Sequence, residues 1–397
     1  MKTSLHITLA ACVSLLICPL TASAVDNLAV SAEAGIGYDS NAYRTPDNPY
    51  FDVARGVNVV PNVQTGIFVP LQLKADYEAA SFLATYAFKG DVFFDNALEN
   101  ANRYDNDVTL GKQFALQQGR LEGGSVYAGF VAGYHKRTYF DRDSGLDQVT
   151  TLSGTNVSNR YTYVNYGIEA ELDHSVNDID YSIATELVKR NYDNPVRVSE
   201  LDHLYFKIGG DAQFALSNIG KLKLGYTFAY RDYDDRPSHL ANGTYPAVKV
   251  PVEYSYHIFD AILWHQFSEG LVAYLDYTRT FRNDGFVGYN DYTKDEVKVR
   301  TRLKLSDELK LRAWAAWRNR NYPNAFAFNV AGQAEKDYDS IRGAIQAEYD
   351  LAGMDLAAIK SNNLSVWGEI NFINQDSTDL RYAYDRYQLM AGVRWEL

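Results

Sequence analysis

The chain has 397 residues, with Lys+Arg 38 against Asp+Glu 50, a formal net charge of −12, and 31 tyrosines within a 14% aromatic content. The acidic balance argues against nucleic acid as a partner, and beyond residue 24 no apolar run of about 18 residues supplies a membrane-spanning helix. Both cysteines, Cys12 and Cys18, fall in the first 24 residues, which leaves the rest of the chain without thiol chemistry or a disulfide framework.

Residues 1–24 read as a signal peptide. Lys2 gives the positive start, Leu5 to Leu20 is largely apolar, and Ala22-Ser23-Ala24 is a small-residue cleavage site. A lipoprotein signal ending at Cys18 fits less well, because Leu16-Ile17 precede that cysteine and Pro19 follows it. Residues 25–397 form the second unit, an outer-membrane β-barrel, with a first strand from about Leu28. There Leu28, Val30, Ala32, Ala34, Ile36 and Tyr38 alternate with small or polar residues. Period-two alternation over roughly ten residues is the mark of a membrane strand. It recurs over Val57–Leu71, Phe82–Phe88, Val126–Tyr134, Ile168–Leu172, Ile179–Leu187 and Leu222–Tyr230. Further on it recurs over Val297–Leu305, Leu311–Trp317, Ile341–Tyr349 and Leu364–Phe372. Segments 104–118, 202–216, 252–267 and 270–283 alternate less cleanly. Asp260 interrupts the apolar parity of its segment, which predicts a bulge or a different register there.

The connections alternate between short and long. Ser175-Val176-Asn177, Ser217-Asn218-Ile219-Gly220, Ser268-Glu269-Gly270 and Ser306-Asp307-Glu308 are tight turns. Thr45 to Asp52, Asp141 to Asn159, Asp234 to Pro251 and Pro323 to Asp337 are long and polar. The loop with Asp141, Asp143 and Asp147 has the length to fold inward. Leu351 to Asn363 is longer than a turn and has room for a helical piece. The fold class is therefore all-β: one transmembrane antiparallel β-barrel of about 16 strands, with about 14 to 18 allowed, short periplasmic turns and long outer loops. Outer-membrane lipid is its surroundings, and tyrosine-rich girdles are expected at both interfaces.

A barrel of this size encloses water, so its lumen wall decides what passes. The parity opposite the apolar one puts a basic ladder inside: Lys298, Arg300, Arg302 and Lys304, then Arg312 and Arg318, with Lys310 and Arg320 nearer the strand ends. Part-way round, Glu169, Glu171, Asp173, Asp178, Asp180, Glu186 and Asp211 form an acidic wall. Opposed walls create a transverse field, unless each charge pairs with a neighbour. Trp314 and Trp367 share the lumen parity and are candidates for stacking on sugar rings. The histidines show no metal-ligand spacing and no nucleophile motif is present. No catalytic residue, metal or cofactor is expected, and the chain is read as not an enzyme.

The closing segment has Tyr387, Leu389, Ala391, Val393, Trp395 and Leu397 on one face. It resembles the C-terminal signature by which outer-membrane barrels reach their assembly machinery, with Leu397 where Phe is usual. The stretch Gly35-Ile36-Gly37-Tyr38-Asp39-Ser40-Asn41-Ala42-Tyr43-Arg44-Thr45-Pro46 resembles the opening strand of outer-membrane β-barrel porins associated with exopolysaccharide and capsule export in Gram-negative bacteria. That resemblance implies a barrel passing a polysaccharide, or one working beside periplasmic export components; the basic ladder makes an anionic polymer the favoured cargo. A general or solute-specific diffusion porin is the alternative, and an outer-membrane enzyme or surface anchor with a filled barrel is the third reading.

Overall fold

The computed structural model describes residues 27–52, 56–119, 121–139, 156–193, 201–327, 334–351, 355–356, 359–360 and 363–397. Three expectations lie outside them: the signal peptide, the interior of the Asp141 loop, and the cleavage site. Antiparallel strands close into a barrel. In chain order they are β1 (Leu28–Asp39), β2 (Gly66–Ala79), β3 (Phe82–Phe93), β4 (Arg103–Ala115), β5 (Ser125–Arg137), β6 (Tyr163–Val176), β7 (Ile179–Tyr192) and β8 (His203–Ser217). The second half comprises β9 (Gly220–Pro237), β10 (Pro251–Ser268), β11 (Leu271–Asp284), β12 (Tyr292–Lys304), β13 (Leu309–Phe326), β14 (Glu335–Asp350), β15 (Leu364–Ser377) and β16 (Tyr384–Glu396). Each strand pairs with its sequence neighbour, and β1 closes the ring on β16 with Ala34 opposite Val393.

The alternation decides which way each side chain points. Ile36, Phe130, Ile168, Ile183, Val299, Ile345 and Ile370 stand about half exposed or more on one parity, while the partners between them are charged or polar. An apolar band on every strand has no stable place in water, where large contiguous patches are rare; it is the lipid-facing wall of a membrane barrel. Most turns at one end are minimal, the β4–β5 and β14–β15 connections excepted. Between β6 and β7, Asn177 and Asp178 take φ of 50 and 64, the left-handed pair that a two-residue hairpin turn demands and that Asn and Asp tolerate.

The strands depart from the sequence pattern in four places. The apolar parity Val57–Leu71 is no single strand: Val57–Val59 pairs with Tyr50–Asp52 as a hairpin in the first long loop, and β2 begins only at Gly66. Asp260 sits in regular register between Gly225 and Thr278, without a bulge. The even parity of β10 faces inward, so Asp260 is a lumen residue whose Oδ1 accepts from Thr278 Oγ1 at 2.6 Å. The 351–363 connection holds no helix among its described residues; Asp355–Leu356 pairs with Ile359–Lys360 as a small hairpin. Finally, many tyrosines expected in lipid-side girdles point into the barrel instead.

The stretch from Asp39 to Pro46 turns inward across the β16–β1–β2 seam. Asp39 is fully buried; it accepts from Arg386 Nε at 2.9 Å and Gln388 Nε2 at 2.9 Å. Its carboxylate also takes the Asn41 backbone N–H at 3.0 Å. Asn41 in turn accepts from the Thr45 N–H and donates Nδ2 to the Thr45 and Asp385 carbonyls. Tyr43 donates to the Ala97 carbonyl at 2.6 Å and packs with Phe68, Phe93 and Leu98 in an apolar cluster inside the long-loop end of the barrel.

Candidate functional site in the lumen

The inner surface of β11 to β14 is strongly cationic, and the strand register places it so. Across β12 and β13, Lys298 lies opposite Ala316, Arg300 opposite Trp314, and Arg302 opposite Arg312. Compensation is uneven. Asp276 on β11 holds Arg300 by two contacts, at 2.6 and 2.8 Å. Glu296 takes both Arg318 and Arg342 at 2.7 Å. Glu348 lies 3.5 Å from Arg312 but 2.6 Å from Arg394, so its charge is spent mainly on the latter. Lys298 and Arg302 have no carboxylate within ion-pair distance among the described residues; Lys298 rests instead over the Trp314 ring at 4.5 Å. Two side chains directly opposite with like charge repel, and Arg302 and Arg312 do so with only Glu348, on the Arg312 side, to offset them.

The acidic wall lies across the lumen. Glu169 on β6 accepts from Tyr127 at 3.0 Å, Glu171 from Ser182 at 3.0 Å, and Asp180 from Ser175 at 2.7 Å. The Tyr127 ring has space to reach Glu169 because it lies over Gly111 and Gly129, where any side chain would collide with it. Asp173 extends the same row. Glu186 is paired with Lys207 at 2.8 Å and Asp211 with Lys223 at 2.9 Å. Thus Glu169 and Glu171 accept from neutral hydroxyls, while Glu186 and Asp211 are paired with lysines.

Several expected positions are corrected. Asp178 is in the β6–β7 turn and not on the lumen wall. Lys304 ends β12 and pairs with Asp307 of the following turn at 2.6 Å, at the rim. Lys310 sits opposite it at the same rim, whereas Arg320 lies inside, opposite Lys294. Trp367 is only 5% exposed and lies against Gly35 and Gly392; it fills the wall and has no face for a sugar. One face of Trp314 is occupied by Lys298.

The feature that the strand-by-strand pattern missed is a belt of tyrosines and cations inside the long-loop end. Cations face tyrosines across the ladder: Arg231 lies opposite Tyr205 and Tyr254, Arg282 opposite Tyr256 and Tyr292, Lys336 opposite Tyr322. Tyr163, Tyr192, His203, Tyr233 and Tyr254 follow one another with ring centroids 4.9 to 5.9 Å apart. Arg282 bridges the next gap, 4.4 Å from the Tyr254 ring and 4.3 Å from that of Tyr292. Tyr292, Tyr322, Tyr338 and Tyr382 then continue the series at 5.4 to 5.8 Å. A signal for it exists in the sequence: Arg190-Asn191-Tyr192, Arg231-Asp232-Tyr233, Arg320-Asn321-Tyr322 and Lys336-Asp337-Tyr338 repeat one triplet, and its first and third members share the lumen face. Beyond the strands, Asp379 is buried. Burial pushes its carboxyl up, but Arg381 at 2.8 Å and Lys336 outweigh this and hold it below the usual carboxylate range.

The described residues hold no cluster of His, Cys, Asp or Glu suited to a metal ion. The closed antiparallel ring with its apolar outer wall defines the class: a transmembrane β-barrel of the outer-membrane type. No family model matches the chain and no curated protein sequence matches it. Solved structures similar to it include OmpT of Vibrio cholerae, expressed in the outer membrane, at 10% identity over 94% of this chain and 98% of that one with a TM-score of 0.43. A bacterial polysaccharide outer membrane secretin matches at 10% identity over 94% and 99%, TM-score 0.44. OccAB3 of Acinetobacter baumannii matches at 8% identity over 94% and 99%, TM-score 0.44.

Proposed function

We propose that this barrel is a pore in the outer membrane of a Gram-negative bacterium and that an anionic polysaccharide passes outward through it. The observation that carries the reading is the cationic inner wall around Lys298, Arg302 and Arg312, where the first two have no carboxylate within ion-pair distance among the described residues and the third has only Glu348, 3.5 Å away and shared with Arg394. Guanidinium and ammonium groups in a row bind carboxylate or sulfate groups weakly and repeatedly, which suits a sliding acidic polymer. The process is passive and non-enzymatic, with no cofactor; the driving energy comes from elsewhere, through periplasmic export components that deliver the polymer. The C-terminal strand hands the chain to the barrel assembly machinery.

A diffusion porin is the second reading. It is favoured by the row Glu169, Glu171 and Asp173 across from the cations, since opposed walls orient and sort small ions as well as polymers. Deletion of the gene in its host separates the two. Loss of acidic polysaccharide from the cell surface, restored by the native chain and not by one with Arg300, Arg302 and Arg312 changed to Glu, supports export. Unchanged surface polysaccharide with slowed uptake of small charged solutes supports the porin.

A further inference from the structure

We propose that the tyrosine–cation belt inside the long-loop end is a binding station for a carboxylate-bearing pyranose, a single uronate unit of a passing chain. This rests on the pore reading above and gives it a site distinct from the basic ladder. The belt differs from the ladder in kind. Its guanidinium groups are flanked by rings rather than paired with carboxylates: Arg231 lies within 5.7 to 5.9 Å of the Tyr205, Tyr233 and Tyr256 centroids, and Arg320 within 5.1 Å of Tyr292. Neither has a carboxylate within ion-pair distance among the described residues; Nη1 of Arg231 donates to the Tyr233 hydroxyl at 3.1 Å and Nη1 of Arg320 to that of Tyr322 at 3.5 Å, while the Nε atoms of both are enclosed by the wall without a partner.

A guanidinium flanked by rings and tied to a tyrosine hydroxyl through Nη1 is held in place and keeps its Nη2 end for a ligand. That end binds a carboxylate oxygen by a charge-assisted hydrogen bond. A pyranose offers an apolar C–H face beside its carboxylate, and an aromatic ring beside a cation matches both. Alternation of ring and cation across adjacent strands repeats this pairing around the wall, so a polymer can transfer from one unit to the next without leaving the surface. A simple phosphate or chloride gains from the cations alone and has no use for the rings. A neutral sugar gains from the rings alone. Tyr233 and Tyr254 are almost wholly buried, with Val252, and anchor the belt; Tyr205, Tyr256, Tyr292 and Tyr322 keep partial exposure and are the rings a sugar can reach.

The test is calorimetric binding of trigalacturonate to the full barrel in nanodiscs, with maltotriose as the neutral trimer of like size and with conductance recorded on the same preparations. Expected is saturable binding of trigalacturonate, about tenfold or more tighter than maltotriose, and a further loss of about tenfold or more in Arg231→Gln/Arg320→Gln and in Tyr292→Leu/Tyr322→Leu. Arg302→Gln/Arg312→Gln, on the ladder, should lose less. Heat-modifiable mobility reports folding; a double variant that does not fold is replaced by Arg320→Gln alone, read the same way. Equal affinity for the two trimers overturns the proposal, as does unchanged affinity in both belt variants. An open pore that binds no trimer overturns it while leaving the pore reading intact, and a silent barrel that binds the trimer through the belt does the reverse.

Discussion

Asp39 holds the seam where the last strand meets the first, and its loss has a calculable cost. Asp39 is fully buried and Arg386 nearly so, and the carboxylate takes bonds from Arg386, Gln388 and the Asn41 backbone. Asp39→Ala strands a buried guanidinium beside two more unmet donors. Removing one partner of a buried pair costs about 3–5 kcal/mol, a large share of the ~5–15 kcal/mol that typically separates folded from unfolded. Removing both charges strands no buried ion and leaves only the Gln388 and Asn41 donors unmet, so Asp39→Ala/Arg386→Leu should cost clearly less than the two single changes added. The assay is urea unfolding of the refolded barrel in detergent, followed by heat-modifiable mobility and tryptophan emission, as a double-mutant cycle. A single-variant cost below about 1 kcal/mol, or a double variant whose cost equals the sum of the singles, would refute the reasoning.

Three smaller effects follow from other places in the wall. Gly392→Ala should destabilise by about 1–3 kcal/mol, because a Cβ there meets the Trp367 ring at 2.7 Å and the adjacent backbone; tryptophan emission of the folded variant should shift as Trp367 moves, and an unchanged melt would count against this packing. Asp202, in the loop before β8, has its carboxyl pushed up by burial, with Asp234 adding to it, despite a bond from the Tyr192 N–H. A carboxyl raised in the folded state costs stability as pH climbs past its ordinary value, so Asp202→Asn should melt higher than the native chain at pH 7, by ~1 kcal/mol or less, and equal to it near pH 4. A pH-independent difference would show the effect is not ionisation. Neutralising Glu169, Glu171 and Asp173 together (to Gln, Gln and Asn) should move the reversal potential toward anions in an asymmetric salt gradient; an unchanged potential would place the row outside the conducting path.

The strand pattern was legible wherever one parity was aliphatic. Phe82–Phe88, Val126–Tyr134 and the closing segment Tyr387–Leu397 read correctly because a Leu, Val or Phe facing lipid cannot be exchanged with a lumen Lys or Glu without cost. Tyrosine undid the reading elsewhere. Its ring counts as apolar in any alternation, yet its hydroxyl suits water, so Tyr254 and Tyr256 made the inward parity of β10 look like the lipid face and made Asp260 look like a defect. The tyrosine belt was hidden for the same reason, although the repeated cation–x–tyrosine triplets stood in plain sight. The ladder Lys298–Arg302 could be placed on one face by parity alone. Which of its charges are cancelled could not, because Asp276 and Glu348 come from other strands and only cross-strand register brings them near. The role of Asp39 at the seam was likewise invisible, its partner Arg386 lying at the far end of the chain.

Planar-bilayer conductance of the purified barrel, with and without polygalacturonate, tests the central claim most directly. An open pore that the acidic polymer blocks, with the block weakened at least about tenfold when Arg300, Arg302 and Arg312 are changed to Glu, is the predicted result. A correctly inserted barrel that carries no current, or an open one indifferent to both polymer and charge reversal, would contradict an anionic-polysaccharide pore.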